Sequence, residues 1–167
     1  PKMRAQGWGR IVNVSSMGGK LTFPGGGAYH ATKYAVESMS DALRFEVKKF
    51  GVDVVVVEPG LIRSGVADAV AAYVASRGDG GPYAEFNAAV KRATEEVYVK
   101  GPLAMLGGGP DAVAKTIETA IGAKSPKPRY RVTASASLLI TQRAWMSDRI
   151  WDLFLRGSFP QPGPTAK

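Results

Sequence analysis

The sequence predicts an α/β fold built on a parallel β-sheet, and three observations carry that prediction. Short runs of strand character alternate with longer stretches of helical periodicity. One run, Val52-Asp53-Val54-Val55-Val56-Val57, is β-branched and apolar on both faces, which suits a central strand covered by helices on both sides. The 167 residues, 45% of them hydrophobic, are enough for one domain with a real core.

Pro1 to Gln6 reads as the end of a helix. Gly7 and Gly9 then lead into a short buried strand, Ile11-Val12-Asn13-Val14-Ser15. Residues 16–27 hold five glycines and a proline and read as loop. From Ala28 to Phe50 the pattern is helical: Ala31, Ala35, Met39, Ala42 and Val47 recur at three-to-five-residue spacings, and Gly51 is a stop signal. The valine strand follows and ends abruptly at Pro59-Gly60. Two further helices are expected over 66–77 and 84–99, the second with the stripe Phe86, Ala89, Val90, Ala93 and Val97. Pro110, after Gly107-Gly108-Gly109, opens a helix to about Ile121. Tyr130-Arg131-Val132 is the candidate last strand, and 137–155 is helical with a break near Met146–Asp148. A short Pro/Gly-rich tail closes the chain.

Composition removes several classes of function. Cysteine is absent and His30 is the only histidine, so disulfides and Cys- or His-ligated metal centres are not expected. No run of roughly 18 apolar residues or signal-peptide pattern is present, which leads to an expectation of a soluble, cytoplasmic protein without a membrane span. The net charge of +8 raises nucleic-acid binding. The basic residues are scattered, however, and the densest group (Lys124, Lys127, Arg129, Arg131) sits among prolines with no recognisable nucleic-acid motif.

The residues that carry chemistry are Ser16, Tyr29 and Lys33. Tyr29 and Lys33 stand four apart near the start of a helix and share a face. A free tyrosine holds its proton to about pH 10 and is a poor acid–base catalyst alone. An ammonium about 4 Å away, at an effective dielectric near 20, favours the phenolate by roughly 4 kcal/mol before any desolvation cost. Ser16, at the end of the preceding strand, can hydrogen-bond a substrate oxygen while Tyr29 exchanges its proton. Taken singly, each feature has a bland reading: Y-x-x-x-K recurs in helices by chance, and Ser15-Ser16 could be a cap pair. Their order is what carries weight. A buried strand ends in serines, a glycine loop leads to Y-x-x-x-K on a helix, and a β-branched strand then ends in Pro-Gly.

Gly9-Arg10-Ile11-Val12-Asn13-Val14-Ser15-Ser16, Ala28-Tyr29-His30-Ala31-Thr32-Lys33 and Val57-Glu58-Pro59-Gly60-Leu61-Ile62-Arg63-Ser64 resemble consecutive motifs of the short-chain dehydrogenase/reductase family. The resemblance implies a Rossmann-like, doubly wound parallel sheet, of which this chain holds the C-terminal part, about three strands with flanking helices. It implies an enzyme that moves hydride between NAD or NADP and a secondary alcohol or ketone. It selects Ser16 over Ser15, and it makes Tyr29 and Lys33 ligands of the cofactor as well as catalytic groups. Pro59, Gly60, Ile62 and Ser64 become further cofactor contacts, Ser64 standing where a threonine is common. Residues 65–108 correspond to the family's variable substrate loop. Pro128-Arg129-Tyr130-Arg131-Val132 is similar to members related to retinol and 17β-hydroxysteroid dehydrogenases, which implies a lipid-like small molecule as substrate.

The resemblance also places the family's phosphate-binding glycine turn and four strands before Pro1. The first strand is then expected to have a bare edge, and the chain by itself to be inactive or nearly so. The intact protein is expected to be a homo-oligomer, pairing through the helix that bears Tyr29. The competing reading is a non-catalytic dinucleotide sensor or scaffold of the same fold. His30, one step round the helix from Tyr29, is read as packing, as are Trp145, Trp151 and Phe154. Glu95-Glu96 is read as a solvated face.

Overall fold

The computed structural model describes residues 1–65, 68, 69, 72, 73, 76 and 81–163. The helix expected over 66–77 lies largely outside these, as do the last four residues of the tail. Three strands, β1 (Gly9–Val14), β2 (Val52–Pro59) and β3 (Arg129–Val132), form one sheet in the order β1-β2-β3. All pairings are parallel. Gly9 to Val14 face Val52 to Val57, and Val56 to Pro59 face Arg129 to Val132. Parallel neighbours need a crossover, and helices supply it. A single turn, α1 (Lys2–Ala5), precedes β1; α2 (Gly27–Val47) joins β1 to β2. Between β2 and β3 come α3 (Ala84–Glu95) and α4 (Pro110–Gly122). After β3, α5 (Ala134–Trp145) and α6 (Asp148–Arg156) flank the expected break, where the Ser147 hydroxyl accepts from the Ile150 amide at 3.4 Å.

The sheet is covered on both faces, and β1 shows it directly. Side chains three apart on a strand point to opposite faces. Arg10 reaches the C-terminal carbonyls of α4 (Ala120, Ile121) and the next one on, Ala123, while Asn13 donates to Ser40 of α2 at 2.9 Å. The valines of β2 are buried at both parities, as its sequence requires. At the entry to β2, Lys48–Phe50 form a 3-10 turn and Gly51 takes φ 70°. A side chain there would stand 2.0 Å from the Gly7 carbonyl oxygen, so that turn needs glycine.

Most of the apolar residues whose spacing marks α2 lie on its outer face. Ala31, Ala35, Met39 and Ala42 are exposed, and the buried residues are His30, Glu37 and Ser40. Periodicity locates the helix, but polar partners inside the fold set its rotation. Of the basic group near the last strand, Lys124 and Lys127 stay exposed, while the two arginines pair with carboxylates of α2 and β2. Arg129 lies within 3.2 Å of Glu37, Asp41 and Glu58, and Arg131 is 3.6 Å from Glu58. The expected substrate loop is helical where described: after α3 the chain makes a π turn (Glu96–Lys100) and a 3-10 turn (Pro102–Leu106). A hydrophobic cluster of Met17, Leu21, Leu61, Leu139, Ile140 and Trp151 underlies the C-terminal end of the sheet, with Val97 and Tyr98 packed against it. No helix among the described residues is long and apolar enough to cross a membrane.

Candidate active site

The ladder brings the C-terminal ends of β1 and β2 side by side and extends to the Ser15 amide, which donates to the Val57 carbonyl at 2.8 Å. That edge of an open parallel sheet is where ligands bind. Ser16 caps a 3-10 turn (Met17–Gly19), its Oγ accepting from the Gly18 amide at 3.0 Å. An accepting hydroxyl keeps its own O–H free to donate. Ser16 is buried, and Tyr29, in the first turn of α2, is half exposed.

Lys33 Nζ stands 5.8 Å from the centre of the Tyr29 ring and donates to the Val14 carbonyl at 3.1 Å. The spacing argument set the ammonium beside the phenol oxygen. In the fold it lies over the ring and is anchored on the end of β1. Gly18 closes the group: a Cβ there would be 3.2 Å from Tyr29 Cε1, so the tyrosine ring lies against the residue whose amide holds Ser16. Ser16, Tyr29 and Lys33 are therefore brought together around one strand end.

The Pro59–Ser64 segment runs along the same edge. The Gly60 amide donates to Val132 O at 3.0 Å, and a Cβ on Gly60 would lie within 2.6 Å of Ser135 Oγ, Thr133 Oγ1 and the Ala136 amide. Packing of the first turn of α5 thus accounts for the glycine. Thr133 itself takes φ 81°, a strained value for a β-branched residue. Ile62 bridges Gly108: the Leu61 carbonyl and the Arg63 amide make the two bonds, at 2.9 and 2.8 Å. The Ile62 amide and carbonyl therefore turn to the other edge, where a ligand amide could meet them. Ser64 is exposed, its Oγ 3.5 Å from Ile62 O.

Two features of the site went unnoticed in the sequence, and a third, His30, was read there only as packing. Tyr98 packs against the cluster beneath the Ser16 loop and lines a cleft of about 290 Å³ together with Arg63, Lys100, Pro102 and Met105. Burial, and then the nearby Tyr29, push its phenol up. Second, Glu58 and Glu37 are buried carboxylates. Burial raises the Glu58 carboxyl and Glu37 adds to the rise, while Arg129, Lys20 and Arg131 oppose it. Third, His30 is buried, with both ring nitrogens engaged: Nδ1 lies 3.0 Å from Gly18 O, and the Phe23 amide donates to Nε2 at 3.3 Å. Only its place beside Tyr29 signalled it. Trp151 is buried, stacks on Phe154 at 5.2 Å and donates to Thr22 O at 3.2 Å, whereas Trp145 is exposed.

Residues 1–75 match the short chain dehydrogenase family. Over 157 residues the chain is 34% identical to the uncharacterized oxidoreductase YbbO of Escherichia coli, covering 94% of this chain and 52% of that protein. Retinol dehydrogenase 16 of Rattus norvegicus is 32% identical over 161 residues, covering 92% and 50%. A solved short chain dehydrogenase/reductase of Burkholderia phymatum, in complex with NAD, aligns with a TM-score of 0.58 at 25% identity, covering 98% of this chain and 53% of that one. With motifs, sheet and relatives in agreement, the chain belongs to the short-chain dehydrogenase/reductase family, and its sheet is of the Rossmann type. It spans about half the length of the curated relatives it matches.

Proposed function

We propose that the protein carrying this chain is an oxidoreductase that interconverts a secondary alcohol and a ketone with NAD or NADP. This chain corresponds to the C-terminal portion of its domain, and the part after Ser64 to about residue 108 forms the substrate loop. The observation that carries the reading is the gathering of Ser16, Tyr29 and Lys33 round the end of β1, with Gly18 touching both the serine and the tyrosine.

In the reducing direction the Tyr29 hydroxyl gives its proton to the substrate oxygen, and the Ser16 hydroxyl donates a hydrogen bond to the same atom. The Lys33 ammonium stabilises the phenolate that remains. A bound nicotinamide dinucleotide supplies the hydride. The backbone fits such a group: the Ile62 amide and carbonyl are turned away from Gly108 towards the open edge. Pro59, Gly60 and Ser64 lie along that edge, and Tyr29 and Lys33 face it from α2. The NAD held by the Burkholderia relative supports the cofactor class.

The cleft beside Tyr98 sets Val99, Pro102 and Met105 next to Arg63 and Lys100, which suits a substrate with an apolar body and a polar end, and the name of the retinol dehydrogenase relative supports a lipid-like one. The exposed α2 face, with Met39 and Phe45, supports pairing of two copies. The test is reduction of short- and long-chain methyl ketones with NADH or NADPH by the protein carrying this chain. Tyr29→Phe should lower turnover at least about 100-fold while cofactor affinity falls far less, because Lys33 and the Pro59–Ser64 segment remain. Turnover retained in that variant would sink the catalytic reading.

A further inference from the structure

We infer that His30 is a positioning residue: its imidazole holds Gly18 and thereby fixes the Ser16 hydroxyl relative to the Tyr29 phenol. The inference rests on the catalytic reading above and adds a residue to it.

The geometry specifies one form of the ring. The Phe23 amide donates to Nε2 at 3.3 Å, which requires that nitrogen to be bare. The Gly18 carbonyl oxygen, 3.0 Å from Nδ1, can only accept, so Nδ1 carries the proton. A neutral, Nδ1-protonated imidazole satisfies both neighbours at once. Neither the other tautomer nor an imidazolium does. The ring is 8% exposed and sits in a cradle cut to its shape. A Cβ on Gly18 would come within 2.7 Å of Nδ1, and one on Gly26 within 2.9 Å of Nε2. Two glycines of the loop are thereby accounted for by the histidine they enclose.

Gly18 transmits the constraint. Its amide holds Ser16 Oγ at 3.0 Å, its carbonyl is held by His30, and a Cβ added to it would meet the Tyr29 ring at 3.2 Å. From the serine hydroxyl to the helix bearing the tyrosine there are two hydrogen bonds and one residue. Trp151, by binding Thr22 O, secures the far side of the same loop. Without His30 that loop keeps its ends but loses its tie to α2 at Gly18 and Phe23. A displaced catalytic hydroxyl of about 1 Å can cost roughly 100-fold in rate.

The test is a double-mutant cycle on turnover of the methyl ketone reduced fastest by the wild-type protein. His30→Leu should lower kcat by about 10- to 100-fold with little change in cofactor affinity. Its effect should nearly vanish in a Ser16→Ala background, because the serine through which it acts is already gone. His30→Asn, which keeps a donor for Gly18, should recover most of the loss. Unchanged kcat in His30→Leu, or losses that multiply fully with Ser16→Ala, would overturn the inference. Where His30→Leu does not fold, the Asn variant and the ring-nitrogen chemical shifts of His30 decide. Those shifts should report a protonated Nδ1 and a bare Nε2 at neutral pH, and the opposite tautomer refutes the clamp. Since the shifts need no substrate, a protein without ketone reductase activity would end the catalytic reading and leave the tautomer to judge the clamp.

Discussion

At the scale of single residues, the chemistry of this chain depends on contacts too short to substitute. Gly60 illustrates the point. The family resemblance explains it as a place for cofactor backbone contact, whereas the fold packs Ser135, Thr133 and the Ala136 amide within 2.6 Å of where a Cβ would be. Gly60→Ala should therefore cost about 1–3 kcal/mol of stability, read as a lower urea midpoint with no cofactor added. A variant with wild-type stability and weakened cofactor binding would show that the glycine serves the ligand instead. Tyr29 and Lys33 were legible because a four-residue spacing on a helix puts both on one face, and Ser16 was singled out by the family resemblance. His30 was not, because a histidine with two backbone partners looks the same in sequence as one with none. Tyr98 is harder still: it reaches Tyr29 from 69 residues away along the chain, and no local pattern records that.

At the scale of elements, α2 carries the site on one side and an ion cluster further along its inner face. Arg129 of β3 joins Glu37 and Asp41 of α2 to Glu58 of β2, and Lys20 reaches Glu37 from the loop after Ser16. Neither guanidinium near Glu58 is aligned to hydrogen-bond it. The Glu58 carboxyl, raised from 4.5 by burial and by Glu37, stabilises the fold fully at pH below that ordinary value. It loses that contribution as pH rises through the raised value. Glu58→Gln, which imitates the protonated form, should gain on the wild type in urea midpoint as pH rises from about 4 to 7. A difference that stays flat with pH would contradict the assignment. Two aspartates run the other way. The Lys48 hydrogen bond lowers Asp53, and the Arg129 and Arg44 bonds outweigh the burial that would raise Asp41. Their stabilisation is present above about 3.8 and fades as pH falls below it. The length of α2 was plain from its periodicity, but its rotation was not, since Glu37 and Ser40 are drawn inward by residues on β1 and β3.

At the scale of the whole molecule, two of the exposed surfaces among the described residues bear on assembly. One is the free edge of β1, which lies at one side of the three-stranded sheet with Val14 exposed. The other is the outward face of α2, where Met39 is 71% and Phe45 88% exposed and the small Ala42 between them allows close approach. If α2 pairs two copies, Met39→Glu together with Phe45→Glu should lower the sedimentation-derived mass of the protein carrying this chain. An unchanged mass would exclude that face as the contact.

The parallel α/β class, the break between α5 and α6, and the pairing of Tyr29 with Lys33 on one helix face were readable along the chain. Each rests on a local property: a β-branched run, a helical period, a turn residue, a fixed spacing. Tertiary structure alone decided which face of α2 lies inside, why Gly60 is glycine, where Arg129 and Arg131 spend their charge, and what His30 holds. Those depend on partners far apart in the chain, and a side chain's surroundings are set by the packed fold and not by its neighbours in sequence.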